Sequence, residues 1–134
     1  MKSRLRELTA LATVVTVGAC GPAGGVIEGQ YEGKRFNGTD RLTLSADGSY
    51  RQEFYLSDST EPFATHESRW TYQRVPGVVL LVTPMQVSDY APAKSVSTDD
   101  VRYWVRSCGE TVCLDQHAPF SGKASVWPYE RQPN

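Results

Sequence analysis

The stretch RLTLSADGSYRQEFYL, residues 41–56, constrains the fold most, because two alternating runs flank Asp47-Gly48. In a strand, alternate side chains share a face. A two-residue turn at Asp47-Gly48 would set Leu44 against Arg51 and Leu42 against Glu53, mixing leucines with charges on one face. A three-residue loop, Ala46-Asp47-Gly48, with Gly48 left-handed in a bulge, instead pairs Leu44 with Tyr50 and Leu42 with Gln52. That register gathers Leu42, Leu44, Tyr50, Phe54 and Leu56 on one face. A one-residue slip would expose the whole set, so burial enforces it.

The same period of two recurs along the chain. A first strand is predicted at 31–36. A second hairpin spans 67–83 and bends at Pro76-Gly77, which suits a type II turn, with Trp70 and Tyr72 on its inner face. Its second strand, VVLLV at 78–82, does not alternate, so both of its faces must be covered. The segment with Val126, Trp127 and Tyr129 is the nearest cover, and another molecule is the alternative. The third hairpin is VRYWVRSCGETVCLDQ, residues 101–116. A four-residue loop, 109–112, would put Cys108 opposite Cys113, Arg106 opposite Asp115 and Trp104 opposite His117. Val101, Tyr103, Val105 and Leu114 then share the other face.

These units predict an all-β domain of six to eight strands, a small antiparallel meander barrel, with a flattened sandwich as the alternative. Gly29, Tyr31, Leu42, Leu44, Asp47, Gly48, Tyr50 and Trp70 form the run G-x-Y, then L-x-L-x-x-D-G-x-Y, then W. This run is similar to that of small lipocalin-like bacterial lipoproteins, including the envelope-stress and copper-resistance lipoproteins of the NlpE type. The resemblance covers about forty residues and implies the fold. The CxxC pair of the NlpE type is absent, so it implies no metal.

The opening residues carry an address. Lys2, Arg4 and Arg6 precede a run, 8–17, in which only Thr9, Thr13 and Thr16 are polar, the charged and apolar parts of an export signal. A bilayer-spanning helix needs about 20 apolar residues, and this run is half that. Val17-Gly18-Ala19-Cys20 resembles the lipobox of bacterial lipoproteins. The resemblance implies a signal peptide cleaved after residue 19, a diacylglyceryl thioether and a further acyl chain at Cys20, and a Gly- and Pro-containing tether over 20–26. One β domain, 27–134, follows. Several chains anchor far more firmly than one. Gly21, in place of the aspartate that favours inner-membrane retention in that family, points to the outer membrane, facing the periplasm. The alternative is a secreted protein whose signal happens to contain a cysteine.

Composition removes one class of partner. Of 14 Lys and Arg, three fall in the signal segment, and of 15 Asp and Glu only Glu7 does, leaving 11 basic against 14 acidic residues. That interleaved, acidic balance argues against nucleic acid, which selects basic patches.

Of the three cysteines, Cys20 is assigned to lipid, and Cys108 with Cys113 form an even pair for a disulfide in an oxidising compartment. Cys108, Cys113 and His117 as copper or zinc ligands are the competing reading. His66 and His117 are the two histidines, and neither lies in a G-x-S-x-G or H-E-x-x-H motif. Glu53, Asp58, Glu61, Asp89, Asp99 and Asp100 could supply a hydrolytic carboxylate pair, though nothing in the sequence selects two of them. No cofactor is expected.

The longest irregular stretch, TPMQVSDYAPAKSVSTDD at 83–100, carries Met85, Val87 and Tyr90 as adaptable contact residues. Arg102, Trp104 and Arg106 form a second candidate binding stripe, with His117 beside it; its competing reading is that Trp104 is covered by the C-terminal segment. The sequence thus leads to a non-enzymatic envelope lipoprotein that binds a small apolar ligand or a partner protein. An inhibitor or immunity lipoprotein against an envelope-degrading toxin or hydrolase is the alternative.

Overall fold

The parity of residues 41–56 sets the barrel's best-defined wall. In the computed structural model, which describes residues 27–87, 94–118, 121 and 128–133, the strands are β1 (Gly29–Arg35), β2 (Gly38–Leu44), β3 (Ser49–Leu56), β4 (Ala64–Gln73), β5 (Val78–Leu81), β6 (Met85–Val87), β7 (Lys94–Val96), β8 (Val101–Cys108), β9 (Thr111–Asp115) and β10 (Tyr129–Arg131). Leu44 pairs with Tyr50 and Leu42 with Gln52, the bulged register. Gly48 has φ +87°, the left-handed conformation that loop requires, and Asp47 braces it by accepting the Ser49 amide at 2.9 Å.

Eight strands close into a lipocalin-like antiparallel barrel in the order β1-β10-β9-β8-β5-β4-β3-β2, and β6 and β7 form a separate two-stranded sheet. A barrel of about eight strands is just wide enough for side chains to fill. Here Tyr31, Leu42, Val79, Leu81 and Leu114 all have 0 % of their surface accessible, so no water-sized void borders them. Two of the buried phenols are anchored to main chain: Tyr31 Oη donates to the Ile27 carbonyl at 2.7 Å and Tyr50 Oη to that of Val82 at 2.6 Å. Burial pushes both hydroxyls up to about 12. Trp70 and Tyr72 pack against this core as their strand face predicts, and Trp70 Nε1 donates to the Ser45 carbonyl at 2.9 Å.

Four expectations are corrected. The β4–β5 connection is four residues long, between the paired Gln73 and Val78, and the Gly77 amide closes it on the Gln73 carbonyl at 3.0 Å. A type II turn would have bonded Val78 to Val75 instead. The β8–β9 hairpin turns on two residues, Gly109-Glu110, so Cys108 pairs with Thr111, Arg106 with Cys113 and Trp104 with Asp115. Gly109 at φ +64° supplies the first position of a tight hairpin turn. The two-residue shift preserves every face, and the Cys108–Cys113 disulfide forms across the diagonal with Cα atoms 5.7 Å apart, within bridging range.

The stretch 83–100 is not wholly irregular. It holds β6 and β7, and buried Met85 packs with Phe54 and Ala64 over the barrel. Finally, Tyr129 does not cover the outside of β5. It begins β10, which pairs with β1 and β9 and closes the ring, and its side chain lies in the core. Val126, Trp127, Tyr90 and Cys20 lie outside the described residues.

Candidate interaction site

Three groups of side chains merit a functional reading, and the first is the outer face of β5, β8 and β9. Leu114 and Val105 point into the core, so their neighbours Asp115, Cys113, Trp104 and Arg106 point outward. Trp104 stands between Val78 on β5 and Asp115 on β9. Arg106 holds Asp115 at 2.9 Å, and Asp115, only 1 % exposed, also accepts the His117 amide at 2.9 Å. The stripe therefore brings Trp104, Arg106, Cys113 and His117 together around a buried carboxylate, while Arg102 is exposed opposite Leu80. With Trp104 half-buried and Arg106 committed to Asp115, these two serve the outer wall before any partner. The cysteine sulfurs are joined to each other, and among the described residues no group of three His, Cys, Asp or Glu could hold a metal ion.

The second group lies inside the barrel, and sequence reasoning missed it. Asp40, 7 % exposed, accepts a 2.6 Å hydrogen bond from Tyr129 Oη, and Gln52 Nε2 donates to the same Tyr129 oxygen at 3.3 Å. Gln52 also brackets Met85, accepting its amide at 2.8 Å and donating to its carbonyl at 3.3 Å. Arg35 stacks 5.1 Å above the Tyr129 ring with its guanidinium 3.6 Å from Asp40. Tyr103 meets Tyr129 edge to face at 5.6 Å.

Burial raises the Asp40 carboxyl above its ordinary value, against the weaker lowering by Tyr129 and Arg35, and Asp40 Oδ1 has no hydrogen-bond partner. Burial and the neighbouring Asp40 raise the Tyr129 phenol well above its ordinary value. A signal was present: period two puts Asp40 on the face of Leu42 and Leu44, and Gln52 between Tyr50 and Phe54. The other buried carboxylate among the described residues, Asp115, sits outside the wall against Arg106. The interior cluster is thus one carboxyl held by a phenol and a guanidinium, with the Gln52 amide donating to that phenol's oxygen, an arrangement that ties strands together.

The third group is the end of the barrel where β1 turns into β2, β3 into β4, and β5 leaves for β6. Met85 plugs that end rather than presenting itself to solvent, and Val87 pairs with Lys94 in the small sheet. Phe36 on the β1–β2 turn and Phe63 before β4 remain exposed there. No family model, curated protein or solved structure matches the chain.

Proposed function

We propose that this chain is an exported bacterial envelope protein, acylated at Cys20 and held at the outer membrane facing the periplasm, whose barrel binds a partner protein and performs no chemistry of its own. The observation that carries the choice of partner over small apolar ligand is the filled interior. Core residues with no accessible surface occupy the space where a ligand would sit, and among them Asp40, Tyr129 and Gln52 bond to one another and to the Met85 main chain. Carriers of apolar molecules need a concave apolar cavity.

Two measurements test the reading. Intact-mass analysis of native material should find residue 20 as an acylated N-terminus; an unmodified thiol or an uncleaved leader removes the envelope anchor. Mass spectrometry of the extracted, delipidated domain should find no bound lipid or other apolar ligand, and a stoichiometric one would restore ligand carriage. An inhibitor or immunity role against an envelope-degrading hydrolase is the second reading. It is favoured by the exposed Phe36, an aromatic raised on a two-residue turn and shaped to enter a cleft.

A further inference from the structure

The chain enters the barrel at one end and shows most of its exposed apolar side chains at the other. Buried Ile27 leads into β1, whose first residue, Gly29, pairs with Leu44 at the end of β2. At the opposite end lie three of the four large exposed apolar residues: Phe36 at 78 %, Phe63 at 41 % and Val96 at 47 %. The fourth, Val75 at 87 %, is on the β4–β5 connection at the entry end.

Main-chain bonds knit the far end into one surface. The Ser57 amide donates to the Asn37 carbonyl at 3.0 Å, joining the Phe36 turn to the β3–β4 connection, and the Phe63 amide donates to the Phe54 carbonyl at 2.7 Å. Val96 pairs with Met85, whose side chain packs on Phe54 and Ala64, so the small sheet lies next to Phe63. Around these apolar residues stand Asp58, Glu61, Asp99 and Asp100, all exposed. None of the four makes a salt bridge among the described residues. The basic residues at this end are Lys34, Lys94, whose amine donates to the Thr65 carbonyl at 2.9 Å, and Arg35, held to Asp40 at 3.6 Å, with Arg102 on the outer wall just below the rim.

We infer that this far end, Phe36, Phe63 and Val96 inside a rim of Asp58, Glu61 and Asp99, docks a basic protein that offers an apolar pocket to the two phenylalanines. Exposed aromatics clustered within a polar rim are the composition of binding hot spots. Exposed acids outside any salt bridge steer a basic partner and reject like charge. The same acids oppose contact with anionic lipid, which selects a protein over a membrane as occupant. The inference rests on the function proposed above: a tether over 20–26 reaches only about 15 Å, so the entry end faces the lipid and the acidic aromatic end faces away from it.

The test places the photo-crosslinking residue p-benzoylphenylalanine, one position at a time, at 36, 63, 75 and 102 of the full-length protein in its own cell envelope. All four positions are exposed, and formation of the Cys108–Cys113 disulfide on non-reducing gels controls for folding. The expected result is a protein adduct from 36 and 63, with 75 and 102 silent and Lys or Arg flanking the crosslinked peptide. Combining Asp58→Lys, Glu61→Lys and Asp99→Lys should weaken the adduct about fivefold or more, as should raised salt. Lipid adducts at 36 and 63, or protein adducts indifferent to charge reversal, overturn the inference. Adducts confined to 75 or 102 overturn this surface and leave a partner protein standing. Silence at all four positions removes both.

Discussion

Tyr129 Oη donates a 2.6 Å hydrogen bond to Asp40 Oδ2, joining β10 to β2 across 89 residues of chain. β10 is three residues long and is also held by main-chain pairing to β1 and β9. Tyr129→Phe keeps the ring against Tyr103 and Arg35 but removes the one hydrogen bond Asp40 Oδ2 receives within the core. A buried acceptor deprived of its donor costs about 1–3 kcal/mol. Urea unfolding should show that loss as a lower midpoint with an unchanged slope.

Asp40 should give stability an inverted pH dependence. Its folded-state carboxyl titrates above the ordinary 3.8, so over the window from 3.8 up to the raised value the folded state binds more protons than the unfolded one. Its contribution is complete below the unfolded value and is lost as pH rises through the folded value. Asp47 shifts downward, chiefly through its hydrogen bonds from Ser49, and acts in the opposite sense. The measurement is therefore the difference in unfolding free energy between the wild type and Asp40→Asn, which should fall as pH rises through that window. A flat difference would show that Asp40 is not buried as described.

Arg102 and Arg106 lie four residues apart on one outer face of β8 and should behave differently. Arg106→Ala strips the 2.9 Å partner from buried Asp115 and should cost about 1–3 kcal/mol, moderated by the His117 amide that remains. Arg102→Ala alters an exposed side chain and should stay within about 0.5 kcal/mol. Thermal unfolding of the two variants side by side checks the contrast.

The Cys108–Cys113 disulfide closes a short loop, with a sequence separation of 5. Loop-closure entropy for so short a ring gives about 2 kcal/mol. Replacing both cysteines by alanine should lower the urea midpoint accordingly and abolish its sensitivity to reductant. An unmutated protein whose midpoint does not respond to reductant would show that the bridge adds no stability.

How far the fold could be read from sequence varied with the strength of local signals. The β2–β3 register was legible because a turn glycine and the parity of Leu42, Leu44, Tyr50 and Phe54 demanded the same answer. In β8–β9 the faces were legible but the register was not. The cysteines were assumed to sit directly opposite, whereas Gly109 permits a tighter turn and the disulfide spans a diagonal. β6 and β7 escaped notice because three-residue strands offer too little alternation to detect. Alternation alone places Tyr129 over the outside of β5, since only closure of the ring determines that it faces inward. Asp40 and Gln52 stand on core faces by simple parity, but parity does not tell that the two polar groups meet Tyr129 there. The exposed end with Phe36 and Phe63 needed three dimensions, because residues 36, 63 and 96 are distant in sequence and meet only when the barrel forms.

The ring is sealed by pairing Tyr31 on β1 with Arg131 on β10. Ribosomes build from the amino end, so a nascent chain that stops short of residue 129 carries two bare strand edges, one on β1 and one on β9, each able to recruit a stray strand. Such an intermediate is safest while it is held by a chaperone or still threaded through a pore. Closure of this barrel therefore waits on β10, the last strand among the described residues.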